Sequence, residues 1–203
     1  MLDFRIPTGL VLRTQILNGG PPFMETLGTK LRILRKSQGL SLKQLADRVG
    51  CAASYLSMVE NDRLDPSVSR LKRIVDALGK TIVDLFGEPG DGDIIVRKEK
   101  RARAAFPGSK LLIEILVPQA PEKKMDARLA VVAPGGGSDG DYSHPGEEFG
   151  IVLRGTLELT VDGATYLLQE GDCFYFHSTR NHRFRNKSDQ EAQVVWVNHP
   201  PSW

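Results

Sequence analysis

The chain has 203 residues, 40% of them hydrophobic and 26% charged, which gives enough apolar content for a buried core and too much charge for a bundle of membrane spans. Cys51 and Cys173 are its only cysteines and lack CxxC spacing, which excludes a disulfide framework or a cysteine zinc knuckle and makes a reducing cytoplasm the expected compartment. The formal net charge of +2 conceals a division: residues 24–87 net +4 and residues 104–203 net −4, so a basic front half suited to a polyanion precedes an acidic back half.

Residues 1–23 end in Gly19-Gly20-Pro21-Pro22, which continues neither a helix nor a central strand, and are expected to form a disordered leader. Met24 offers an alternative start to the chain. The N-terminus lacks the basic region, apolar stretch and small-residue cleavage site of an export signal. From Glu25 the spacing turns helical, with Leu27, Leu31 and Leu34 recurring at three and four residues until Gly39. Ser41 is placed to cap a second helix carrying Leu42, Leu45, Ala46 and Val49, which Gly50 ends. A third helix is expected over about 52–60, a fourth after Ser67 through Leu78, and a short fifth turn over 81–86. Five short helices over 24–87 predict a compact all-α domain.

Residues 88–103 read as a linker plus a first strand at Ile94–Val96, because 87–93 is made of Gly, Pro, Asp and Glu. Over 104–203 the pattern changes to short apolar or alternating runs separated by Gly, Pro, Asp and Asn. Strands are predicted at 111–117, 127–133, 149–153, 156–161, 165–168, 173–176, 182–185 and 193–198. Asp162-Gly163 marks a tight hairpin, since both residues readily take positive φ. This spacing predicts an all-β sandwich or closed barrel. No run of about 18 apolar residues exists for a membrane span, so no membrane partner is expected.

Within the helical part, Ala46 is small where two helices would cross, Gly50 makes the turn, and the next helix leaves Ala53, Ser54, Ser57 and Met58 facing outward. The stretch Leu40–Asn61, extended by Asp65-Pro66-Ser67, Leu71-Lys72-Arg73-Ile74, Ala77-Leu78-Gly79 and Asp84-Leu85-Phe86, resembles the helix-turn-helix of phage-repressor-like regulators, the xenobiotic-response-element (XRE) family. The resemblance implies that the third helix enters the major groove of double-stranded DNA, with Ala53, Ser54, Ser57 and Met58 at base edges. Lys43, Tyr55, Arg63, Arg70, Lys72 and Arg73 are then the candidates for phosphate contacts. Two half-sites one helical turn apart would require a homodimer.

In the second half, Tyr142–Gly155, Gly171–His177 and Asn181–Asn186 resemble the two motifs of the cupin barrel, a double-stranded β-helix or jelly roll. The resemblance implies that His144, Glu148 and His182 point inward and can hold one divalent transition metal, zinc, iron, nickel or manganese, while Tyr142, standing where the family has a further histidine, is open to three readings: a weak phenolate ligand, a hydrogen-bond donor to an effector, or a filler. Arg128, Tyr175 and Trp196 are candidates to shape an effector pocket, although alternation alone leaves open which of them point inward. His177 and His199 are expected to be solvated or structural.

The order of parts, helix-turn-helix then cupin, resembles bacterial regulators that sense amino acids, peptides or polyamines. It implies a DNA-binding transcriptional regulator, with repression the expected sign and no enzymatic activity. A second reading is a metal-dependent cupin enzyme, an iron oxygenase or epoxidase with the triad as its ligands. The basic, uncluttered groove-facing helix favours the regulator, because an enzyme needs no such surface.

Overall fold

A computed structural model describes residues 26–86, 94–118 and 122–201, a run of helices followed by a run of strands. The leader 1–23 and the centre of the expected linker, 87–93, lie outside the described residues.

The helical unit has four helices of eight to eleven residues, α1 (Leu27–Ser37), α2 (Leu42–Val49), α3 (Ala53–Glu60) and α4 (Val68–Ala77), followed by a five-residue turn of helix, α5 (Ile82–Phe86). Each boundary has a local cause. Thr26 caps α1 by accepting from the Thr29 N–H at 3.2 Å. Ser41 and Gln44 form a reciprocal capping box on α2, so two amide donors that no helical carbonyl can reach are satisfied together. Gly50 ends α2 with φ of 72°, a left-handed conformation that a side chain would strain.

The apolar stripes of these helices, including Leu31, Leu45, Leu56, Leu71, Ile74 and Leu78, are at most 2% exposed. Removing each such side chain from water contributes about 1.5–3 kcal/mol. Helices α1 and α3 meet closely at Gly28, where a Cβ would lie 2.4 Å from the Val59 carbonyl oxygen. Any larger residue there would push α3 outward.

The second unit consists of two antiparallel sheets. The strands are β1 (Arg103–Phe106), β2 (Leu111–Ile115), β3 (Asp126–Val132), β4 (Glu147–Arg154), β5 (Leu157–Val161), β6 (Ala164–Leu168), β7 (Cys173–His177), β8 (His182–Arg185) and β9 (Ala192–His199). Six of them form one sheet in the order β1-β2-β3-β9-β4-β7, and three form the other in the order β6-β5-β8. Rings bridge the sheets from inside: Phe176 on β7 packs against His182 on β8, and Phe184 on β8 against Trp196 on β9. The expected Asp162-Gly163 hairpin joins β5 to β6, with φ of 48° and 83° at its two residues.

Two expected features differ. Ile94–Val96 is not a strand; the first strand is Arg103–Phe106, which straddles the expected boundary at 104. Its inward residues Ala104 and Phe106 are buried and pair with Ile113 and Leu111. Ile94 and Ile95 are exposed, so the apolar run there has no sheet face to fill.

Candidate functional site

The helix expected to read DNA is held from behind by a buried ion pair. Arg35 on α1 donates from Nε and Nη2 to the two carboxylate oxygens of Glu60 at 2.6 and 2.8 Å, and from Nη1 to the Leu40 carbonyl at 2.6 Å. Glu60's hydrogen bond raises the guanidinium pKa. Both groups are buried, so the fork fixes the C-terminal end of α3 against α1. Arg35 therefore has a structural task that its position among polar helix residues did not reveal.

On the other side of α3, Ser54 and Met58 are exposed and Ala53 and Ser57 half-buried, so the four expected base readers lie together on one accessible surface. Asn61 steadies this helix by donating to the Ser57 carbonyl at 2.7 Å. Lys43, Arg63, Arg70 and Arg73 are exposed, as a phosphate contact requires. Tyr55 is half-buried with its hydroxyl enclosed. Lys72 is a correction: it is 3% exposed and has no surface to offer a phosphate.

In the β unit, His144, Glu148 and His182 come together, with ligand-capable atoms within 4.8 Å of one another and all three side chains buried. The strands cause this. Glu148 is an inward position of β4 and His182 of β8, while His144 lies in the segment leading into β4. Tyr142 and His182 exchange backbone hydrogen bonds at 3.0 and 2.9 Å, which sets their rings side by side at a centroid distance of 4.2 Å.

The imidazoles are oriented for a cation. His144 Nδ1 lies 3.1 Å from the Pro145 carbonyl and His182 Nδ1 2.8 Å from the Arg180 carbonyl. A carbonyl only accepts, so each neutral ring carries its proton on Nδ1 and turns an Nε2 lone pair inward. These nitrogens stand 2.6 and 3.6 Å from Glu148 Oε1, and neither makes a directed hydrogen bond. Two lone pairs facing a carboxylate form an acceptor-only cluster, and a positive ion satisfies it. The residues present thus fit a divalent metal, as the sequence implies.

The surroundings keep the cluster in that state. Burial alone would push the Glu148 carboxyl up, but a positive charge at the His144 contact, proton or metal, and the Arg128 charge hold it at about 2. Burial also lowers the pKa of His182, against the pull of Glu148, so its ring stays neutral further into acid. Tyr142 is raised well above 10 by burial, with Glu148's charge adding to it, so it sits beside the triad as a neutral phenol.

Two residues beside the triad were not foreseen. Asn198 donates to Glu148 Oε1 at 2.8 Å while Trp196 Nε1 donates to Oε2 at 2.6 Å, so each carboxylate oxygen is anchored. Asp126 lies 3.6 Å from Arg128, which also donates to Asn198 and lies over the Trp196 ring at 5.5 Å. Arg128 and Trp196 are thus interior, as a pocket role requires. Tyr175 is a correction: it is 58% exposed on the outer face of β7 and donates to Glu147, while its neighbours Phe174 and Phe176 point inward. The signal for Asn198 lay in the period of two on β9, where Trp196 fixes which residues face in.

Fold and sites together define a class, a helix-turn-helix head joined to a cupin barrel. The helix-turn-helix family model matches residues 31–85 and the cupin domain model residues 128–198. The regulator PuuR of Escherichia coli is 25% identical over 179 residues, covering 87% of this chain and 96% of that protein. The regulator SinR of Bacillus subtilis is 33% identical over 85 residues, covering 39% of this chain and 77% of that protein. A crystal structure of a helix-turn-helix family regulator from Vibrio cholerae shares the fold, with a TM-score of 0.67, 22% identity and coverage of 86% of this chain and 95% of that one. The chain belongs to the helix-turn-helix (XRE-type) transcriptional regulators and carries a cupin domain. These relatives are named as regulators, which favours that reading over an epoxidase-like enzyme. No helix among the described residues is long and apolar enough to cross a membrane.

Proposed function

We propose that this regulator binds a double-stranded DNA operator as a homodimer, with residues 24–87 as the DNA-binding head and residues 104–203 as a metabolite sensor. Helix α3 occupies the major groove, and Ala53, Ser54, Ser57 and Met58 meet base edges. Serine hydroxyls donate or accept, and the Ala and Met carbons suit a thymine methyl. Lys43, Arg63, Arg70 and Arg73 hold the flanking phosphates, with Tyr55 at the edge of that surface. The observation that carries this reading is the accessible, uncharged surface of α3 formed by Ala53, Ser54, Ser57 and Met58, braced from behind by the Arg35–Glu60 fork.

In the barrel, His144, Glu148 and His182 hold one divalent transition metal, with Tyr142 beside it as a hydrogen-bonding phenol. The metal would supply a local positive charge and open positions for a polar effector. Arg128 and Trp196 shape the wall next to it, and a small polar metabolite of the amino acid, peptide or polyamine class fits that chemistry. The effector acts through its different affinities for the DNA-competent and DNA-incompetent arrangements of the dimer. Repression is the simplest outcome, with the effector releasing DNA.

The test is a shift assay on the DNA upstream of the protein's own reading frame at two salt concentrations, with elemental analysis of the same sample. Specific binding that weakens steeply with salt, as phosphate neutralisation requires, supports the regulator. Absence of specific binding, together with stoichiometric iron and substrate-dependent oxygen consumption, would replace it with the enzyme.

A further inference from the structure

The interior triad uses only one face of β8. Alternation along this strand turns His182 and Phe184 inward and leaves Arg183 and Arg185 exposed on the outer face. There they line a cavity of about 390 Å³ that plays no part in the metal centre or the DNA surface.

The cavity is built by the small sheet and a glycine-rich loop. On the sheet, the outward Thr160 of β5 and Thr165 of β6 share a hydrogen bond of 2.9 Å, and Thr160 is buried. The loop over 135–140 lies against β8 as nearly bare backbone. At Gly137 a Cβ would lie 2.4 Å from the Phe184 carbonyl oxygen, and the Ser138 hydroxyl accepts from the Phe184 N–H at 3.3 Å. A larger residue at 137 would separate the loop from the strand and open this wall.

Three cations, Arg183, Arg185 and Lys187, line the cavity with two carboxylates, Asp139 and Glu158. Lys187 pairs with Glu158 at 2.8 Å, and Arg183 pairs with Asp141 at 2.8 Å. Arg185 makes no ion pair and no side-chain hydrogen bond among the described residues. A guanidinium offers a planar fork of donors that matches a carboxylate or a phosphate with two parallel hydrogen bonds. Threonine hydroxyls add donors, and the volume is that of a small-molecule site.

We infer that this cavity is an anion site, in which Arg185 holds the carboxylate or phosphate group of a small molecule, separate from the triad inside the barrel. Strand β8 forms the wall between the two: His182 belongs to one and Arg183 and Arg185 to the other.

Titration calorimetry of the full chain tests this with two probes, inorganic phosphate and citrate, in separate runs. Saturable binding of at least one is expected, and which one binds tells whether the site takes phosphoryl or carboxylate groups. Arg185→Gln, a change at an exposed position, should keep the wild-type melting curve and weaken binding about tenfold or more. His182→Ala should leave anion affinity unchanged. The inference is overturned if neither probe binds, if Arg185→Gln binds as wild type does, or if His182→Ala abolishes binding, since the anion would then sit on the interior cluster. It is equally overturned if Arg185→Gln lowers DNA affinity while leaving anion binding untouched.

Discussion

Helix α3 and the barrel interior use polar side chains in opposite ways. On α3 the candidate functional groups are small, at least partly accessible and unconnected to one another, and the charged pair that matters for shape, Arg35 with Glu60, is buried behind them. In the barrel the buried groups are themselves the candidate site, and every oxygen of Glu148 is held by a named donor. The difference teaches where each site's cost lies. A DNA-reading surface can change its side chains without disturbing the core, so one fold serves many operators. A metal centre is a set of buried acceptors whose desolvation only a cation offsets, and it must be supported on all sides.

This contrast can be broken first at the brace. Arg35→Ala leaves the buried Glu60 with only the more exposed Arg32, 3.6 Å away, as counter-charge and should cost about 3 kcal/mol of stability in the helical head. Thermal unfolding followed by helical circular dichroism checks this; a change under about 1 kcal/mol would mean that the fork does not hold α3. In the barrel, Asn198→Ala removes a donor to Glu148 but no ligand. Metal affinity should drop about 10–100-fold with the fold retained, and competition with a chelator measures it. Unchanged affinity would remove Asn198 from the site.

The pH dependence sharpens the same point. Metal binding needs neutral imidazoles and an ionised carboxylate. Glu148, held at about 2, stays ionised throughout the working range, so only the histidines compete with the metal for protons. The His182 pKa lies below its ordinary value, so affinity should be flat above the usual histidine range of about 6.5 and fall only as pH drops below it. A loss that begins well above that range would contradict the burial of His182. The smallest effect belongs to the exposed cations: Lys43→Ala should weaken DNA binding evenly across sequences and lower the slope of log affinity against log salt by about one.

The head was legible almost to the residue because its signals are local. Ser41 with Gln44, Gly50, and the leucines at three and four residues each act within one turn of helix, and the structure uses them, with Leu27 and Leu31 in the core and Leu34 half-buried. What stayed hidden depended on distant partners. Arg35 reads as a surface residue until Glu60, 25 residues later, arrives beside it. Lys72 reads as a phosphate contact, but its burial is a tertiary matter. In the barrel, the histidines and Glu148 stood in a motif, whereas Tyr175 was misplaced because β7 reads Cys-Phe-Tyr-Phe-His, aromatic in both phases. Its period of two could not say which face was inside. The first strand was missed for a related reason: Arg103–Phe106 is short and follows a charged run, and only the pairing of Ala104 and Phe106 with β2 makes it a strand.

In the proposed function, reading DNA and holding a ligand are separate tasks on separate surfaces. The direct measurement is a crossed one, in which operator affinity and metal content are determined for Ser57→Glu and His182→Ala beside the wild type. Ser57→Glu places a negative charge against the groove and should cost about 3 kcal/mol or more in DNA binding while keeping the metal. His182→Ala should lose the metal and keep most of the DNA affinity in the absence of effector. Retention of DNA binding by Ser57→Glu, or of wild-type metal content by His182→Ala, would contradict the assignment of that site.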